Sequence, residues 1–324
     1  MDLTSVQRDR ARGVLLATAA GDALGAGYEF GPPLADDVPV LMKGGGTFRW
    51  APGEWTDDTS MAVPILEAAE TAAAEGRALT DELDHVAARW YAWHETAPDV
   101  GAQTRQVLYN GQTGGVVTAE SLRAAAQELH ARTGRTGGNG SLMRSAPIPL
   151  AHLGDDTAIA AAARAVSDLT HPEPDAASAC VLWCVAAGHA VVTSELDVRR
   201  GLVHLDPEQR ARWAGLLDEA EHEHPTAFPR NGWVVHAAQA AWASVRLARD
   251  TDEPLRRGLE NAVRAGHDTD TVAAIAGMLL GAAHGASAVP ADWVPLLHGW
   301  PGITGTELAD RAEALAAGSV AARD

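Results

Sequence analysis

Two short acidic clusters, Thr56-Asp57-Asp58-Thr59 and Asp268-Thr269-Asp270-Thr271, stand far apart in this 324-residue chain. Each precedes an apolar stretch, MAVPILEAAE in one case and VAAIAGMLLGAA in the other. Carboxylate and hydroxyl oxygens are hard donors, the set that Mg²⁺ or Mn²⁺ selects over zinc. A fold that brings both clusters to one point sets four carboxylates face to face. Like charges that close repel strongly unless cations sit between them. A local reading competes with this one. Thr and Asp are good helix N-caps, and acids in a first turn suit the helix dipole. Capping needs one residue, however, and has no use for a full D-T-D-T run. The two readings are compatible, because one helix N-terminus can present both a cap and a ligand.

Other residues acquire meaning around these clusters. Asp22 falls inside an apolar helical pattern and Glu29 at its end. A buried Asp needs a partner: another helix N-terminus, an arginine, or a group that itself binds metal. The loop Thr136-Gly137-Gly138-Asn139-Gly140-Ser141 can bring backbone N–H groups close to a phosphate. It lacks the Gly-Lys-Ser/Thr of a Walker loop, and no strand precedes it as a dinucleotide fingerprint requires. Taken alone, the loop reads as an ordinary turn. His171, in LTHPEPD, is either a helix C-terminal histidine or a donor to a phosphate or ribose oxygen. Asp99, in APDVGAQTR, is either a cap for a short helix or a carboxylate aimed at a cation. The EHEHP run near Glu221 reads as an exposed polar segment rather than a metal tract.

The elements that must position these groups are helical. Hydrophobic residues make up 46% of the chain, alanine and glycine are abundant, and alternating β-branched runs are missing. Expected helices cover about 5–28, 60–75, 81–94, 102–109, 119–133, 156–170, 176–194, 207–221, 233–250, 255–265 and 271–285. In the first of these, Gly13, Ala17, Gly21 and Gly25 recur at four-residue spacing. Glycine costs a helix ~1 kcal/mol relative to alanine, so the stripe implies close approach by another helix. With no linker or repeat visible, and with the acidic clusters at opposite ends, one domain spanning 1–324 is expected. The formal charge of −18 argues against nucleic acid as a partner. Lys43 is the only lysine, and Cys180 and Cys184, one turn apart, read as small buried hydrophobes. No signal-like leader and no uninterrupted membrane-length apolar run is seen, so a cytoplasmic, monomeric protein is expected.

Taken together, GDALGAGYEF, GEWTDDTSMA, PDVGAQTR, GGNGSLMRSAPI, LTHP, NGWVVHAAQAAWA and HDTDTVAAIAGMLLGA resemble the ADP-ribosylglycohydrolase family. They span Gly21 to Ala282, and the combination is far more specific than any one piece. The resemblance implies an all-α, orthogonal multi-helix bundle with two Mg²⁺ or Mn²⁺ ions in a cleft. It implies Thr56, Asp57, Asp58, Asp268, Asp270 and Thr271 as metal ligands, and Glu29 as the acid or base near the attacking water. Gly138, Asn139, Gly140, Ser141 and Met143 would line an ADP-ribose pocket, with His171 near the phosphates. Asp99 falls where arginine-directed members carry an acid near the scissile bond. The implied reaction removes ADP-ribose from a modified protein or a small conjugate, with ADP-ribosylarginine the first choice of linkage. ADP-ribosylserine or O-acyl-ADP-ribose hydrolysis, a different two-metal hydrolase, and a non-catalytic ADP-ribose-binding protein are the alternatives.

Overall fold

The small-residue stripe of the first helix is the seam along which the two ends of the chain meet. In a computed structural model, which describes residues 2–321, the first helix is α1 (Ser5–Gly25). Twelve further α-helices follow among the described residues. They are α2 (Asp57–Ala74), α3 (Leu83–His94), α4 (Ala102–Gly111), α5 (Ala119–Thr133), α6 (Ile148–Ala151) and α7 (Asp156–Ser167). The later half carries α8 (Pro174–Thr193), α9 (Pro207–His222), α10 (Val234–Ala248), α11 (Pro254–Arg264), α12 (Thr269–His284) and α13 (Gly305–Ala321). One pair of two-residue strands, His298–Gly299 and Ile303–Thr304, runs antiparallel. The fold is all-α.

Helices α1 and α12 lie antiparallel with almost nothing between their backbones. A Cβ added at Gly21 would strike the carbonyl of Ala273, and one at Gly277 would strike that of Ala17. Gly13 and Gly281 exclude each other's Cβ in the same way, and Gly25 abuts the backbone of Asp270. This register sets the C-terminal end of α1 against the N-terminal end of α12. Asp22 and Glu29 thereby reach the second acidic cluster across some 240 residues of sequence. Thr269 fastens the joint, its hydroxyl donating to the carbonyl of Gly25 at 2.9 Å.

Local sequence explains the other boundaries. Thr4 and Gln7 form a capping box for α1, and Thr118 and Ser121 form one for α5, which ends at Gly134 in the left-handed region. Pro174, Pro207 and Pro254 open α8, α9 and α11, where a missing N–H costs nothing. Helix α8 is long and apolar enough to cross a bilayer, but 83% of that stretch is buried inside the fold. It is a core helix, and Cys180 and Cys184 on it are free and buried, as expected of small hydrophobes. Trp55, Trp90, Trp183 and Trp213 are fully buried. The indoles of Trp90 and Trp183 donate to the carbonyls of Met61 and Ile275 at 2.9 and 3.2 Å, which relieves the polar cost of their burial.

The expected helices are present with ends shifted by a few residues. Helix α1 stops at Gly25 instead of near Tyr28, and α2 begins at Asp57, three residues earlier than its apolar pattern. The expected 81–94 helix opens with a 3₁₀ turn at Leu79–Glu82. Helices α6 and α13 and the short hairpin lie outside the expected set. The composition of α13 is alanine-rich but weakly periodic, and it is held by packing on α1.

Candidate active site

Asp22 organises the first acidic cluster without belonging to it. Its carboxylate is fully buried. It accepts the backbone N–H of Thr56 and of Thr59, both at 2.9 Å, and the Thr59 hydroxyl at 2.6 Å. Those N–H groups belong to the open first turn of α2, so Asp22 caps that helix from α1. Of the partners expected for it, a helix N-terminus is the one observed. The N-cap residue Thr56 makes no capping bond of its own; its hydroxyl donates to Asp58 Oδ2 at 3.0 Å. Capping from outside thus releases Thr56, Asp57 and Asp58 from the role that the local reading gave them.

The second cluster is arranged at the start of α12. Asp268 is the N-cap residue but makes no side-chain cap bond. Its Oδ2 instead accepts Asn139 Nδ2 at 2.8 Å, and its backbone N–H donates to Asn231 Oδ1 at 3.1 Å. Asp270 Oδ1 accepts the N–H of Thr271 at 2.9 Å. Asp22, Asp58 and Asp270 present oxygens all within 4.8 Å of one another, and so do Glu29, Asp268 and Asp270. Asp270 is common to both groups.

These carboxylates repel. Burial first, then their neighbours, raises the proton affinity of Asp57, Asp58 and Asp270 well above the usual range. Burial raises Asp22 and Asp268 as well, while their hydrogen bonds oppose the rise. Glu29 is pushed to about 9 by burial and by Asp268, Asp99 and Asp57. Two buried oxygens, Asp58 Oδ1 and Glu29 Oε2, have no hydrogen-bond partner. An all-oxygen donor set, mutual repulsion and orphaned carboxylate oxygens together fit hard divalent cations.

A cavity of about 1300 Å³ opens over this focus. Glu29, Asp57, Asp99, Gly138, Asn139, Gly140, Met143, His171, Asp268, Asp270 and Thr271 all line it. Thr56 and Asp58 are buried beneath. Ser141 needs a correction: its side chain is turned into the core, where its Oγ accepts from Ser167 Oγ at 3.0 Å and Cys180 Sγ at 3.5 Å. Asp99 is no cap, since the N-cap of α4 is Gly101. Its half-buried carboxyl is raised to about 6 by desolvation and by Asp268 and Asp22, against Arg105. The Gly101 N–H, donating to Asp57 Oδ2 at 3.4 Å, ties this loop to the first cluster.

His171 is fully buried, its Nδ1 2.7 Å from Thr170 Oγ1. Desolvation, and then Arg144, holds it well below the usual imidazole range, so it is neutral. Its Nε2 lies so near the glycine loop that a Cβ at Gly138 or Gly140 would come within 3.3 or 3.2 Å of it. A side chain at either glycine would have to push this imidazole back by a few tenths of an ångström. Three supporting residues went unrecognised in the sequence. Gln103 Nε2 donates to the carbonyls of Thr136 and Thr170, both at 2.9 Å, which sutures the loop to the His171 segment. Asn231 links Asp268 to the carbonyl of Gly266, to which its Nδ2 donates at 2.9 Å. Arg144 is fully buried, its guanidinium 3.8 Å from the Trp90 ring centroid, and burial lowers it to about 9. The available signal was a polar side chain inside an apolar or glycine-rich run, which must be satisfied if buried.

Comparison with known proteins assigns this helical bundle to a class of hydrolase. The ADP-ribosylglycohydrolase family profile matches residues 3–323. The chain belongs to the ADP-ribosylglycohydrolase family, whose members are hydrolases of glycosidic bonds. It is similar to ADP-ribosylarginine hydrolase Tri1 of Pseudomonas putida (strain GB-1), 30% identical over 293 residues, covering 88% of this chain and 73% of the relative. It is also similar to ADP-ribosyl-[dinitrogen reductase] glycohydrolase of Rhodospirillum rubrum, 28% identical over 294 residues, covering 89% and 90%. A solved structure described as an ADP-ribosylglycohydrolase-related protein complex superposes with a TM-score of 0.69 at 30% identity, covering 98% of this chain and all of that one.

Proposed function

We propose that this protein is a divalent-cation-dependent hydrolase that releases ADP-ribose from modified arginine side chains. The observation that carries the reading is the meeting of Glu29, Asp99, Asp268 and Asp270 on one cavity that also exposes the Gly138–Gly140 loop. Thr56, Asp57 and Asp58 would hold cations from one side, and Asp268, Asp270 and Thr271 from the other. When bound, such ions supply Lewis-acid stabilisation of developing charge and water of lowered pKa.

The chain's own groups supply the rest. The glycine loop and buried, neutral His171 line the cavity together, so a diphosphate bound there would meet both. Asn139, its amide bonded to Asp268 and to the carbonyl of Asn231, fixes the loop against the acidic focus. Glu29 Oε2, free of any partner in the fold, is placed to hand a proton to or take one from a group in the cavity. Asp99 offers a carboxylate that a planar guanidinium can meet with two N–H donors. That match of leaving group to side chain favours arginine over serine, and two of the similar proteins carry ADP-ribosylarginine hydrolase as their name.

A linkage panel tests the reading. Arginine- and serine-linked ADP-ribosyl peptides are incubated with the protein in Mg²⁺, Mn²⁺ or chelator, and released ADP-ribose is measured. The expected result is cation-dependent release from the arginine peptide, reduced at least ~100-fold in Asp268→Asn. Release that survives chelation, or turnover of the serine peptide alone, would overturn the reading.

A further inference from the structure

Phe30 carries two costs, one in its backbone and one in its ring. Its φ is 62°, in the left-handed region that crowds a Cβ and is ordinary only for Gly, Asn or Asp. Its ring is also 65% exposed. Among the described residues that ring stacks on no other aromatic ring and faces no cation.

The backbone conformation has an evident purpose. The Phe30 N–H donates to the carbonyl of His267 at 2.6 Å, and the His267 N–H donates to that of Gly31 at 2.7 Å. His267 has a φ of 62° as well. The clamp joins the residue after Glu29 to the residue before Asp268, and strain of this kind gathers at functional sites. It does not explain the ring. Glycine or asparagine at position 30 would form the same backbone bonds with less crowding. The ring therefore serves something outside the fold, and it lines the cavity shared by Glu29, Asp99 and Asp268.

We propose that Phe30 determines linkage specificity: its ring stacks against the planar guanidinium of an ADP-ribosylarginine leaving group whose N–H groups Asp99 accepts. The proposal rests on the arginine reading above. A guanidinium is flat, weakly hydrated and cationic, and it stacks on aromatic faces. A serine leaving group has neither plane nor charge, so the ring selects between them.

The test uses the intact protein with free ADP-ribosylarginine and free ADP-ribosylserine, which removes any contact with a carrier protein. Wild type, Phe30→Gly and Phe30→Trp are compared by steady-state kinetics and thermal melting. Phe30→Gly is expected to melt at or above the wild-type temperature, because glycine suits this φ. Its KM for ADP-ribosylarginine is expected to rise about tenfold with kcat within about twofold, and Phe30→Trp to restore KM. The ratio of kcat/KM for the arginine conjugate to that for the serine conjugate is expected to fall about tenfold in Phe30→Gly. If the glycine variant melts well below wild type, Phe30→Asn against Phe30→Trp makes the same comparison. An unchanged KM, or a fall in kcat alone, would overturn the assignment and leave the arginine reading intact. Wild type that hydrolyses only the serine conjugate would remove both.

Discussion

Replacing Asp22 by alanine separates the helix-capping role of this residue from any role in chemistry. The carboxylate accepts three hydrogen bonds, two from the first turn of α2 and one from the Thr59 hydroxyl. Bonds to a charged acceptor contribute about 1.5–3 kcal/mol each, so their loss alone removes roughly 5–9 kcal/mol. An opposing effect returns several kcal/mol, because a buried charge that desolvation disfavours is also removed. The expected net loss is about 2–4 kcal/mol, or a fall in Tm of about 3–6 °C for a chain of this size. Circular-dichroism melts in chelator at pH 7.5 measure it without interference from bound cations. Asp22→Asn keeps the shape but turns an NH₂ toward donor groups, so an intermediate fall is expected. An alanine variant that melts within about 1 °C of wild type would refute the capping argument.

Two other perturbations test how the site is built. At Gly277 the added Cβ of alanine meets backbone, the carbonyl of Ala17, and not a yielding side chain. Gly277→Ala is expected to cost about 3 kcal/mol or more by forcing α1 from α12, and chemical denaturation that shows no change would contradict the seam. His171 supplies a pH dependence. Its folded form stays neutral while the unfolded form gains a proton below about pH 6.5. Its contribution to stability is therefore complete above that pH and declines as pH falls, by up to about 1.4 kcal/mol per unit. Wild type is expected to lose stability relative to His171→Gln between pH 7 and pH 5, read from paired melts; parallel curves would show that the histidine titrates alike in both states.

Most of the helical architecture was legible because its signals are local. Caps and N1 prolines mark several helix starts, and the four-residue stripe from Gly13 to Gly25 announced a close helix contact. The partner of that stripe was not legible, since Gly277 and Gly281 acquire their meaning only from the antiparallel register with α1. The acidic clusters stood out because both exceed what capping requires. The structure explains the excess in the first: the cap comes from Asp22, a residue with no sequence neighbour in α2. Ser141 illustrates the opposite failure, as a polar residue in a glycine-rich loop has no local mark that says which way it points. Gln103 and Asn231 carried only the general mark of a polar side chain in such a run, because their bonds reach segments far apart in sequence. Phe30 and His267 could not be flagged at all, since backbone strain leaves no trace in residue type when the strained residue is not glycine.

We propose that both acidic clusters hold a shared pair of cations, and counting Mn²⁺ per chain tests this most directly. Calorimetric titration with electron paramagnetic resonance on the same samples gives stoichiometry and coupling together. Wild type is expected to bind two ions whose spins are coupled, as a pair roughly 3.5–4 Å apart would be. Asp270→Asn is expected to weaken both, because Asp270 belongs to both oxygen groups. One ion per chain, or two uncoupled ions of which Asp270→Asn disturbs only one, would contradict the claim.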